Sequence, residues 1–153
     1  MKQHLRTVAV AVVAFAIGIA VSHLPQAASA AAAPLVAGTF DLAAMTADTL
    51  PPTTATFPNL HSKTLIVDDG MTLALQMGTA LKHQHTNADE IQIVLEGIGT
   101  ETLGDKQIVM KPGTMVLIPR GTTHAGIVET SGHLKFISIK TPPQDPTDVH
   151  FVP

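Results

Sequence analysis

Residues 83–97 read HQHTNADEIQIVLEG. His83 and His85 stand two apart, a spacing that splays side chains on a helix but sets them on one face of a strand. As a strand, the stretch puts the two rings side by side and turns Gln84 away. Thr86-Asn87-Ala88-Asp89 then reads as a turn, because Asn and Asp bond to their own backbone and favour tight reversals. Glu90 opens the next strand and folds back toward the rings, so three good metal ligands converge within eight residues.

Around this stretch, Leu60 to Lys140 reads as a series of short strands. Candidates are 64–67, 71–77, 80–85, 90–96, 98–103, 106–110, 114–118, 124–128 and 133–140. They are separated by turn signals such as Asp68-Asp69-Gly70, Gly97, Gly104-Asp105, Pro112-Gly113 and Ser131-Gly132. No convincing amphipathic helix interrupts them. Many short strands at this spacing indicate an all-β sandwich or barrel. With five Phe and no Trp or Tyr the core is small. Such a body gains from pairing with a copy of itself, and a homodimer is expected. Met71, Met77, Met110 and Met115 are expected to fill the core.

The two ends have a different character. Residues 1–30 combine a basic start (Lys2, Arg6), an apolar run from about Val8 to Val21 and a closing Ala28-Ser29-Ala30. This is the pattern of a cleaved signal peptide, and the run is shorter than the roughly twenty residues a spanning helix needs. A secreted or periplasmic protein is expected, starting near Ala31 and free of the membrane after cleavage. Residues 31–60 form an Ala/Thr/Pro-rich arm, mostly extended, whose Leu42, Met45 and Leu50 could dock on the body or on a neighbouring subunit. Residues 141–153 form a proline-rich tail that is expected to run over the surface. Without residues 1–30 the chain carries seven Lys/Arg against twelve Asp/Glu, a formal −5. A mildly acidic body without a basic cluster argues against nucleic acid as a partner. The absence of cysteine excludes disulfides, thiolate metal sites and cysteine nucleophiles.

Residues 113–124, GTMVLIPRGTTH, supply a second block: Gly113, five residues, Pro119-x-Gly121, two residues, His124. Together with His83-x-His85, four residues, Glu90, six residues, Gly97, this resembles the paired motifs of the cupin superfamily, in its small single-domain type-2 form. The resemblance spans about Lys63 to Lys140. It departs at Gly78, four residues before His83 where the family usually has five, and at Val128, which takes the place of a terminal Asn. Neither departure touches a ligand position. The resemblance implies a single jelly-roll β-barrel over 61–140 that holds one metal ion through His83, His85, Glu90 and His124. Three imidazoles and a carboxylate suit a divalent transition metal such as Fe, Mn, Zn, Ni or Cu.

Gln92, two beyond Glu90, shares its face; it could touch a substrate or a metal-bound water, or simply line the barrel. Arg120 could meet an anionic ligand or be a solvated turn residue. His61, His133 and His150 lie outside the motifs and are expected to be non-catalytic. Fold does not fix function. The first expectation is an exported metalloenzyme acting on a small oxygenated organic molecule, dioxygenase-like. The alternative is a non-enzymatic module that binds a small carboxylate or sugar through the metal, and a metal-holding protein is a third.

Overall fold

The computed structural model describes residues 35–68 and 70–153, so the expected signal segment and the first residues of the arm lie outside the described residues. The described chain is all-β. Its eight strands are β1 (Leu60–Val67), β2 (Thr72–Gly78), β3 (His83–Gln84), β4 (Asp89–Leu103), β5 (Lys106–Met110), β6 (Met115–Ile118), β7 (His124–Thr141) and β8 (His150–Phe151). Among the described residues no helix is long and apolar enough to cross a membrane.

All neighbouring strands pair antiparallel. The sheet runs β1-β2-β7-β3-β8, and β4 joins it through β7 while also pairing with β5 and β6. Two long strands, β4 and β7, form the spine. Each was expected as two short strands, 90–96 with 98–103 and 124–128 with 133–140, broken at Gly97 and at Ser131-Gly132. The backbone passes through both breaks with register shifts and without leaving the sheet. Gly97 shows why: its φ is +78°, and a Cβ there would sit 2.3 Å from the carbonyl oxygen of His133. The glycine bends a continuing strand, as a β-bulge does, and here it does not end one. The inward set changes phase at this bend, from Glu90, Gln92 and Val94 before it to Gly99 and Glu101 after it.

The interior has an apolar floor of Leu60, Val94, Met110, Val116, Ile118, Ile127, Leu134 and Phe136. A second apolar cluster lies on the outer face of the β2–β7–β4 sheet. Leu75, Met77 and Ile137 are buried there, and Leu42, Met45 and Leu50 of the arm pack over them. The arm therefore docks on the chain's own sheet. Met110 and Met77 fill the two clusters as expected. Met71 is half-buried. Met115 departs from expectation at 60% exposed, because on β6 the inward positions are Val116 and Ile118 and Met115 falls on the other face.

Candidate metal centre

His83 sits on the two-residue β3, paired with His124 of β7 on one side and Phe151 of β8 on the other. His85 follows just beyond β3. Both rings are buried while Gln84 is half-buried, which is the arrangement the spacing of two implies. The next residues turn around a single carboxylate. Asp148 accepts the backbone N–H groups of Thr86 (2.7 Å), Asn87 (3.1 Å) and Ala88 (3.1 Å) and the hydroxyl of Thr86 (2.7 Å). The chain leaves this turn directly into β4, whose second residue is Glu90.

His124 arrives from the other block. Gly121, at φ +78°, takes the left-handed conformation that glycine adopts freely, and its N–H bonds to the carbonyl of His85 at 2.6 Å. One motif is thereby tied to the other. Ala125 at φ +64° and Gly126 at +61° follow, and the β4–β7 register shifts opposite them. A left-handed alanine is uncommon and such conformations cluster at functional sites.

The ligand atoms of His83, His85 and His124 lie within 4.8 Å of one another. Each Nδ1 faces a backbone carbonyl: Leu81 at 2.8 Å, Asp148 at 2.5 Å and Thr122 at 3.0 Å respectively. A carbonyl only accepts, so each neutral ring carries its proton on Nδ1 and turns the Nε2 lone pair inward. Glu90 Oε2 stands 3.2 Å from His85 Nε2 and 3.3 Å from His124 Nε2. All three atoms are buried without a hydrogen-bond partner. Converging lone pairs without a donor between them are costly in a dry interior, and a cation at that point would satisfy them together. The donor set and its orphaned atoms fit a divalent transition metal.

The remaining groups fix Glu90. Its Oε1 accepts from Ser138 Oγ at 2.7 Å and from Gln92 Nε2 at 3.2 Å. Lys140 Nζ is 3.3 Å from Oε2 and donates to Ser138 Oγ at 2.9 Å. Burial by itself would raise the acid's pKa. The Lys140 ammonium opposes burial, and Glu90 is held well below the usual carboxylate range. Burial, then the neighbouring His124 and His85, lowers His83 to about 4. Its lone pair is thus free well into acid.

Glu90, Gln92, His83 and His85 line a cavity of about 450 Å³. Ser62, Thr64, Thr72, Gln76 and Lys140 form its polar wall, and Pro51 to Phe57 of the arm and Gln144 to Val149 of the tail border it. Phe57 and Phe151, one from each end of the chain, pack on the His83 ring with centroids at 5.8 and 6.2 Å.

The structure brings together all four sequence-derived ligand positions and places Gln92 beside them. Arg120 is a surface residue clamped on Asp89, with Nη2 to Oδ2 at 2.8 Å. His61 bonds Pro51 of the arm through Nδ1 and His133 pairs with Glu129. Neither joins the site, and His150 stands 3.6 Å from Asp148. Four participants were not singled out in the sequence. Ser138 and Lys140 were readable in principle, two apart on one strand, once the inward phase of β7 is known. Asp148 gave no signal, lying in a tail read as a surface run, where it is in fact 2% exposed. Glu101 is buried with both oxygens unpartnered, and burial, then the charge of Glu90, raises it to about 8.

Residues 71–140 match the family model of the cupin domain. Solved structures share the fold. KdgF from Halomonas sp. is 20% identical at TM-score 0.55, over 61% of this chain and 88% of its own. Streptomyces Pac13, described as a nucleoside dehydratase and solved with uridine, is 12% identical at TM-score 0.57, over 70% of this chain and, by structure, 87–88% of its own. BH2720 from Bacillus halodurans is 27% identical at TM-score 0.51, over 59% of this chain and 76% of its own. No curated protein matches the sequence.

Proposed function

We propose, from the match of residues 71–140 to the cupin domain model, that this chain is an exported metalloenzyme acting on a small oxygenated organic molecule, with dioxygenase chemistry as the first expectation. The observation that carries this reading is the set of three buried imidazoles. Each is locked by a backbone carbonyl with Nε2 turned inward, and His83 and His85 line a cavity large enough for a small ligand, with polar groups on one wall. His83, His85, His124 and Glu90 would hold the ion, which supplies Lewis acidity or redox chemistry when bound.

The chain's own groups do the rest. Ser138 and Gln92 hold Glu90 in one orientation. The unpartnered Oε1 of Gln92 is an acceptor for a ligand hydroxyl. Ser62, Thr64 and Gln76 offer further hydrogen bonds from the wall, and Pro51 to Phe57 of the arm border the cavity.

One observation favours a binding module as the second reading: the cavity's one carboxylate among the described residues, Glu90, has Oε1 taken by Ser138 and Gln92 and would lend Oε2 to the ion, which leaves no free general base among the lining residues. The deciding experiment is metal analysis of protein purified from its native compartment, with oxygen uptake and turnover assays on small hydroxy and keto compounds. Iron with oxygen uptake supports the dioxygenase. A bound ion with ligand binding and no turnover supports the module. Protein that binds no transition metal overturns both. Export predicts a mature N-terminus near Ala31 by intact mass, and the homodimer predicts twice the chain mass by light scattering.

A further inference from the structure

Lys140 is an unusual residue for the inside of a barrel. Its side chain is 7% exposed and it lines the same cavity as His83 and His85. An ammonium carries three donors. One goes to Ser138 Oγ at 2.9 Å, and a second faces Glu90 Oε2 at a longer 3.3 Å. No further acceptor is provided among the described residues. Ser138 is neutral and cannot donate to a ligand, since its one proton is committed to Glu90 Oε1.

The charge balance of the cavity follows from these contacts. Among the described lining residues Lys140 is the one cation and Glu90 the one anion. A divalent ion on the three Nε2 atoms would draw on Glu90 Oε2 as well, and the buried site would then carry a net charge of about +2. Isolated charge is expensive to keep in a dry interior, and a close counter-charge is most strongly felt there. An anionic ligand relieves this; a neutral one of the same shape does not. The other wall groups, Ser62, Thr64, Gln76 and Gln92, are uncharged and select shape and hydroxyl pattern without discriminating charge.

We propose that Lys140 is a specificity-determining residue of this cavity and that it anchors a carboxylate of the ligand beside the metal centre. This rests on the metal-centred reading above and narrows its substrate class from oxygenated organic molecules to small carboxylates. The alternative role is a purely structural counter-ion for Glu90. The two roles differ in what the ligand senses. An anchor affects charged ligands alone, whereas a counter-ion affects the ion and therefore all ligands alike.

The test uses the full mature chain loaded with Co(II), whose visible absorption reports ligand entry, and two probes of nearly equal size, pyruvate and its neutral amide. Metal stoichiometry of the wild type is measured first, because its failure refutes the metal-centred reading and not the role of Lys140. The loaded wild type is expected to bind pyruvate at least tenfold more tightly than the amide. In Lys140→Met, which keeps length and loses charge, that preference is expected to fall to within about twofold, while Lys140→Arg keeps most of it. Equal affinity of the wild type for the two probes, or binding of neither, overturns the proposal without any variant. A preference that survives in Lys140→Met, or weakening of both probes by the same factor, overturns it as well and assigns Lys140 to Glu90 alone.

Discussion

The β2–β7–β4 sheet has two faces built from alternate residues of the same strands, and they divide stability from chemistry. One face carries Thr72, Gln76, Glu90, Gln92, Ser138 and Lys140 and looks into the cavity. The other carries Leu73, Leu75, Ile93, Ile137 and Ile139 and lies partly under the arm. In a barrel closed only by its own strands the apolar set would point inward. Here the arm gives the outward apolar set something to pack against, and this frees the upper interior to hold polar and charged groups. A sheet with period two assigns residues to faces, but it does not say which face is the inside.

The contrast is broken most severely at the ligands. His124→Ala is expected to abolish stoichiometric metal binding, with an affinity loss of more than about a hundredfold, while the circular dichroism of the strands persists. Retention of the ion by this variant and by His83→Ala would refute the ligand assignment. Leu75→Ala should do the reverse. Leu75 is fully buried under the arm, so its truncation costs about 2–5 kcal/mol in denaturant titrations and leaves metal stoichiometry intact. Loss of the ion at unchanged stability would mean that the two faces are not separable.

Glu101 lies on the inner face, fully buried. Its folded pKa is about 8, above the ordinary 4.5, so the folded state binds more protons than the unfolded state between these values. Stability therefore falls as pH rises from about 4.5 to 8, by an amount on the order of 3 kcal/mol at pH 7. His83, with its folded value lowered to about 4, works in the opposite direction, adding stability as pH rises from about 4 to 6.5. Glu101→Gln keeps the shape and removes the first effect alone. The variant is expected to melt higher than wild type at pH 7 and to match it near pH 4. A difference that does not change with pH would show that Glu101 has a partner in solution.

The smallest expected effect comes from the tail. Asp148 is held at about 2, burial being outweighed by the donors of Thr86, Asn87 and Ala88. Its lowered value adds stability above its ordinary pKa of 3.8, lost as pH falls toward 2. Asp148→Asn retains the backbone carbonyl on His85 Nδ1 and loses the charge that orders the turn. It should destabilise the fold by about 1–2 kcal/mol and weaken metal binding severalfold in a competition titration. An unchanged metal affinity would reduce the tail to a surface ornament, as its composition suggested.

Much of this protein is written locally. The spacing of two between His83 and His85, the turn that follows, Glu90 at the head of a strand and His124 behind a Pro-x-Gly turn are short-range features, because strand periodicity and turn chemistry act over a few residues. They suffice for the all-β class and for four residues that meet in space. What the tertiary structure decided are the contacts made across long stretches of chain. Lys140 and Ser138 reach Glu90 from β7, which pairs with β4 only once the sheet has formed. Asp148 orders the turn at residues 86–88 from about sixty positions away. The arm selects which face of the sheet is apolar-packed. None of these follows from a local pattern, since a proline-rich segment carries no period to reveal its partner and a lysine on a strand reads as solvent-facing until the strand's inner phase is fixed by its neighbours.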